Sequence, residues 1–191
     1  MQIQKDDIRN NILEAATEEF LISGYNKSSL RNISAQAGMT VGNVYSYFSG
    51  KDDLFENVIS PAWEQLYRLM GVQFSNYESI SSPTLIQITD QIIEVFISNK
   101  AQFFILINGS IGSKYENVKL DITRFISKRL KVELPNSNGI EMDPLLADAI
   151  AASLLEGFIT VFNNYGGDIN RLKRLVQELI FIVLGNLPNR L

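Results

Sequence analysis

Apolar residues recur every three or four positions along most of this chain, the spacing that puts them on one face of a helix. Ile8, Ile12, Ala16 and Phe20 repeat every four residues, with Leu13, Ala15 and Leu21 widening the stripe. They predict a helix over about 6–23, ended by Gly24. Leu30, Ile33, Ala35 and Ala37 give a second, shorter helix a narrow apolar side. Val41, Val44, Tyr45 and Phe48 mark a third over about 41–48. A stripe from Leu54 through Trp63, Leu66 and Tyr67 to Phe74 predicts a long helix over about 51–74. Pro61 lies inside it and removes one backbone hydrogen bond, so a kink or break is expected near 57–60.

Helices continue to the end of the chain. After a polar linker at 76–82, Pro83 suits the first turn of a helix reaching about 99. The piece 100–108 is apolar nearly all round, which marks a buried central helix. Further helices are expected over about 114–132, over 144–165 with Asp143 as cap, and from Asp168 to about 185. The loop 133–143 and the pair Gly166-Gly167 separate them. The last helix is apolar on two sides, through Leu172, Leu175, Val176, Leu179, Ile180, Ile182, Val183 and Leu184. One side can pack on its own chain, and a symmetry mate is the simplest cover for the other. A homodimer built on the last two helices is therefore expected, with Leu179 and Val183 facing the partner.

The stretch 28–51 carries the most specific chemistry. Ser28 or Ser29 can cap the helix that starts at Leu30, because a hydroxyl there accepts from an N–H left free in the first turn. Gly38 can take the left-handed conformation that ends it, and Thr40 can cap the next. Helix, glycine turn, helix is the layout of a helix-turn-helix, whose second helix enters the DNA major groove. The outward positions Thr40, Gly42, Asn43, Ser46 and Tyr47 are small or hydrogen-bonding, and none is acidic. Gly42 costs about 1 kcal/mol of helix stability against alanine, yet it lets the backbone approach a phosphate or a thymine methyl. Lys51 is an anomaly, since a cation at the start of a helix opposes the macrodipole unless a bound phosphate reverses the sign. An ordinary helical hairpin with an exposed lysine has the same local pattern.

Composition narrows the class. The chain has 191 residues, 46% of them hydrophobic and 20% charged, as in a folded domain with a substantial core. It contains no cysteine and no histidine, which removes disulfides, thiolate chemistry and most transition-metal sites. No cofactor is expected. Residues 1–7 lack a basic segment followed by an apolar run, and no uninterrupted apolar run approaches the roughly 18 residues of a membrane helix. A cytoplasmic protein without membrane contact is expected. Residues 1–51 hold five basic side chains (Lys5, Arg9, Lys27, Arg31, Lys51) and five acidic ones (Asp6, Asp7, Glu14, Glu18, Glu19), so the remainder carries the whole net charge of −4. With a pI near 4.9 the chain is no nonspecific DNA coat. A site-specific reader with a few well-placed cations fits this balance.

The run Ser29-Leu30-Arg31-Asn32-Ile33, then Ala37-Gly38-Met39-Thr40-Val41-Gly42-Asn43-Val44-Tyr45-Ser46-Tyr47-Phe48, then Lys51, resembles the TetR family of bacterial repressors. It departs from the family pattern at Ser29, Leu30, Asn32, Ser34, Met39, Thr40, Asn43 and Val44. Asn43, where the family pattern has threonine, bears most on what is read. The resemblance covers about the first quarter of the chain. It implies an all-α protein: a three-helix helix-turn-helix head over 1–50, then a helical ligand-binding and dimerisation bundle over 51–191. The implied partners are double-stranded operator DNA, a second copy and a small effector.

Candidate DNA contacts are Ser28, Ser29, Arg31, Thr40, Val41, Gly42, Asn43, Tyr45, Ser46, Tyr47 and Lys51. Arg31 and Asn43 can make paired hydrogen bonds to guanine or adenine, whereas Tyr45, Tyr47 and Lys51 suit phosphate. In the body, Trp63, Tyr67, Phe96, Phe104, Phe125, Phe158 and Phe162 are candidates to line an apolar effector cavity, and Asn108 and Glu156 to orient the effector. Plain core packing is the commoner role for any one of these aromatics. The effector is expected to be apolar or aromatic, and neutral or cationic if Glu156 reaches it. The leading function is a ligand-responsive DNA-binding regulator, most simply a repressor released from its operator. The alternative is a helical small-molecule-binding protein without DNA binding. An enzyme is not expected, because the acidic pairs Asp6-Asp7, Glu18-Glu19 and Asp52-Asp53 fall on expected exposed faces or first turns.

Overall fold

The computed structural model describes residues 2–71, 82–133 and 142–184, and these form helices and turns with no strand. Two compact units emerge, one of Met1–Tyr67 with Ile97–Val118, the other of Arg68–Phe96 with Lys119–Leu191. All but the last residue of the expected linker 76–82, most of the loop 133–143 and the helix ends at Phe74 and Gly185 lie outside the described residues.

In the first unit, α1 (Gln2–Lys27) is broken at Gly24, whose φ of 65° and ψ of 171° are non-helical. The stop falls where the sequence places it, and one further turn follows. The apolar stripe of α1 is buried through Ile12, Ala16 and Phe20. α2 (Leu30–Gln36) and α3 (Val41–Tyr45) pack on each other, and α1 packs on α2. α3 is about a turn shorter than expected. Ser46 and Tyr47 form a turn whose N–H groups donate to Asn43 O and Val44 O, and Phe48 still reaches the core at 2% exposure.

α4 (Lys51–Gly71) runs through Pro61 without the expected break. Proline at 61 frees the carbonyl of Asn57 four residues earlier, and the Ser60 hydroxyl donates to that oxygen at 3.3 Å. A side chain thus replaces the missing backbone donor and the helix continues. α6 (Lys100–Asn108) packs on α1 and buries Phe103, Ile105, Leu106 and Ile107, as expected of a central helix.

The second unit holds most of α5 (Ser82–Ser98) and α7 (Val118–Glu133), with α8 (Pro144–Asn164) and α9 (Ile169–Leu184). α7 starts at Val118, four residues later than expected. Residues 113–117 are held instead in turns, with Ser113 Oγ accepting from Tyr115 N–H and donating to Ser110 O. Asp143 caps α8 by accepting from Leu145 N–H, and Asp168 caps α9 by accepting from Asn170 and Arg171 N–H. Gly166 and Gly167, both at positive φ, make the turn between them.

α8 packs on α9, and Leu172, Val176 and Ile180 form the buried stripe of α9. Leu179, expected to face a partner, instead lies half-buried against Gly157 of its own chain. Ile169, Phe181 and Ile182 are left outside, 47%, 65% and 69% exposed. α8 is also longer and more apolar than a count of uninterrupted runs conveys. Among the described residues it is the one helix apolar enough to cross a membrane, with a mean hydropathy of 1.8. Its buried residues, from Ala147 through Leu154 to Phe162, account for much of that character as a core helix.

Candidate nucleic-acid interface

The helix-turn-helix is built by local capping and by three long-range polar contacts. Ser29 Oγ accepts from Asn32 N–H at 3.1 Å and Thr40 Oγ1 from Asn43 N–H at 3.3 Å, so each helix begins on its expected hydroxyl cap. Gly38, at φ 67°, carries the turn, and Met39 N–H donates to Ser34 O across it. Glu19 of α1, 5% exposed, accepts from Ser29 N–H at 3.3 Å and Asn32 Nδ2 at 3.0 Å. At the other end of α2, Asn11 Nδ2 donates to Ala37 O at 3.1 Å. Ile33 and Val44 are fully buried between these supports. Both ends of α2 are therefore pinned to α1, which fixes where α3 points.

The outward face is neutral and hydrogen-bonding, except for Arg31. Arg31, Thr40, Gly42, Asn43, Tyr45 and Ser46 are exposed, and Ser29, Val41 and Tyr47 are half-buried. Gly42 has no side chain to cover its backbone, and the Ser46 hydroxyl donates to Gly42 O at 3.2 Å. Two candidates have partners within their own chain. Ser28 is 5% exposed with its hydroxyl donating to Tyr25 O, because the chain needs that bond to turn from α1 into α2. Lys51 is half-buried, and its Nζ donates to Tyr25 O at 2.8 Å and Ser28 O at 3.2 Å.

Around Lys51 lies a group of contacts that the local pattern could not reveal. The ammonium sits 4.3 Å from the centre of the Tyr25 ring. The Tyr25 hydroxyl donates to Asp52, and its ring packs edge-on against Phe55 at 5.0 Å. Burial first, then the hydrogen bond to Asp52 and its charge, push the Tyr25 phenol up to about 12. Tyr25 N–H donates to Gly109 O at 2.6 Å, where the backbones of Gly24 and Gly109 touch. Arg9 donates to Asn57 Oδ1 at 2.6 Å and lies over the Phe48 ring at 5.2 Å.

The expected effector residues divide between the two units. In the first, Trp63 packs edge-on against Tyr115 at 5.4 Å, Phe104 is half-buried, and Tyr67 and Asn108 are exposed. In the second, Phe96 stacks on Phe162 at 4.0 Å, both essentially unexposed, and Phe158 stacks on Phe162 at 6.3 Å. Phe125 is half-buried, with the Arg129 guanidinium 6.0 Å from its ring centre. Glu156 is exposed and paired with Lys119 at 2.5 Å, so it does not serve as an acid buried among apolar residues.

Residues 12–58 match the model of the bacterial regulatory proteins of the tetR family. The match spans α2, α3 and the Glu19 support, while Arg9 and Asn11 precede it. These residues form a TetR-family DNA-binding domain. The HTH-type transcriptional regulator UidR of Escherichia coli is 25% identical over 138 residues, 69% of this chain and 68% of that one. The repressor BepR of Brucella suis is 41% identical over 56 residues, 29% of this chain and 27% of its own. A TetR-family regulator from Streptomyces coelicolor, 18% identical, superposes over 92% of this chain and 90% of its own with a TM-score of 0.68, a likeness of fold. The chain is thus a DNA-binding regulator with a TetR-type helix-turn-helix head.

Proposed function

We propose that this TetR-family protein is a cytoplasmic, homodimeric repressor that leaves its operator when the body binds a small apolar or aromatic molecule. Residues 1–50 read DNA, and 51–191 bind the effector and form the dimer. The observation that carries this reading is the pinned helix-turn-helix with Arg31, Asn43 and Tyr45 exposed along a face free of acidic groups. Dimerisation is supported by Phe181 and Ile182 on α9 and by Leu145 on α8, 77% exposed. A monomer would leave these to water, whereas a symmetry mate would cover them and set two reading heads roughly 34–36 Å apart.

The aromatic composition of the body supports an apolar effector, which would act only through its differential affinity for the operator-competent and incompetent states. The Glu156–Lys119 pair removes the reason to expect a cationic one. The test is binding of the purified protein to a duplex from upstream of its own gene, followed by a thermal-shift screen of hydrophobic compounds. Compounds that raise Tm should also release the duplex. Compounds that raise Tm and leave duplex affinity unchanged would refute the switch.

A further inference from the structure

We propose that Gln91 on α5 is the polar anchor of the effector, and that the effector is a neutral, largely apolar molecule carrying a hydroxyl group. This deepens the switch proposed above and rests on its assignment of effector binding to the body.

The acidic neighbours of Gln91 on α5 are turned to water. Asp90 and Glu94 are exposed, and Asp90 pairs with Lys173 of α9 at 3.1 Å. Gln91 takes the other course. It stands four residues before Val95, which is 8% exposed, so the two share one face of the helix. Gln91 Oε1 is closed to solvent and accepts no hydrogen bond from the described residues. A carbonyl oxygen taken out of water without a donor weakens the folded state. Leucine or methionine would occupy a similar volume there without that penalty. The oxygen gains a use once a ligand brings the donor, because the complex then recovers the hydrogen bond that folding gave up.

The kind of donor follows from what α5 supplies beside it. Ile92, Ile93, Val95 and Phe96 are buried or half-buried and apolar, and the adjacent carboxylate of Asp90 is already held by Lys173. An ammonium donor would lack a counter-charge there, and a carboxylate has no proton to give. A hydroxyl needs no counter-charge. It also suits either edge of the carboxamide, donating to Oε1 or, with the amide turned over, accepting from Nε2.

The experiment measures binding of para-alkylphenols, from ethyl to octyl, to the full-length protein by thermal shift and calorimetry. Each phenol is compared with the alkylbenzene and the methyl ether of the same chain. The variants are Gln91→Leu and, as a second replacement that keeps the length of the side chain, Gln91→Met. Wild type is expected to bind at least one phenol about tenfold more tightly than its two counterparts, the margin of one hydrogen bond. Both variants are expected to melt at or above the wild-type temperature and to bind the three compounds alike. A margin that survives in either variant would overturn the proposal, as would a wild type that binds phenol and hydrocarbon alike or binds no phenol. Variants melting several degrees lower would make Gln91 a structural residue and overturn it too. Release of a duplex from upstream of the gene is measured separately. A phenol that binds through Gln91 but leaves the duplex in place upholds the anchor and refutes the switch. Release by other compounds, with no phenol margin, refutes the anchor and leaves the switch standing.

Discussion

Leu179 lies so close to Gly157 that a Cβ at residue 157 would come within 2.7 Å of its Cδ2. The contact makes Leu179 part of its own chain's core, and it separates two roles that the amphipathic pattern of α9 merges. Leu179→Glu places a charge against α8 and is expected to cost about 2–3 kcal/mol of stability, seen as a lowered Tm. Ile182→Glu alters a residue 69% exposed and is expected to leave the fold intact while yielding monomers in sedimentation. A folded, dimeric Ile182→Glu protein would place the interface elsewhere.

The Tyr25–Asp52 contact gives an alkaline signature. Its phenol titrates near 12 in the folded chain against about 10 when unfolded. The folded state therefore keeps a proton that the unfolded state loses. This stabilisation is complete below pH 10 and is lost as pH rises through about 12. Tyr25→Phe is expected to flatten the fall in Tm over that window relative to wild type. After discounting for solvent screening the effect is about 1 kcal/mol.

Ser60 offers a test of how α4 tolerates its proline. Ser60→Ala removes the donor to Asn57 O and leaves that carbonyl without its replacement partner. A destabilisation of about 1 kcal/mol is expected, or roughly 2–4 °C in Tm. Pro61→Ala together with Ser60→Ala is expected to recover it, because the backbone donor returns.

The proposed DNA-reading function assigns base recognition to the exposed carboxamide of Asn43. Asn43→Ala is expected to relax preference at one base pair by about 1–3 kcal/mol, read by competition among duplexes with single substitutions. Affinity for unrelated DNA should stay as it was. Equal weakening on every duplex would make Asn43 a backbone contact.

What the sequence disclosed was what neighbours decide. The caps at Ser29, Thr40 and Asp143, the glycine turns and the helices among the described residues depend on residues within about four positions, and the sequence alone places them correctly. The misplacements arise from partners far along the chain and from local turns that helical periodicity does not show. Lys51 gives no local sign that its ammonium reaches Tyr25 O and Ser28 O, and Ser28 reads as a cap until Tyr25 O takes its hydroxyl. Glu19 and Asn11 give no local signal, because their role depends on the angle at which α1 crosses α2. On α9, periodicity shows that two faces are apolar, but only the notch at Gly157 determines which one stays at home.

The backbone meeting of Gly24 and Gly109 sets an order on the assembly of the chain. Eighty-five residues separate them (109 − 24), so the bond from Tyr25 N–H to Gly109 O closes a long loop that local helix formation cannot bring about. A nascent chain emerging amino end first has its caps and its helix-turn-helix in place well before residue 109 has been made. Until then the turn that Lys51 grips lacks one of its walls. A ribosome-stalled or proteolysed piece ending before α6 would carry the whole reading motif, yet hold it more loosely than the finished protein does.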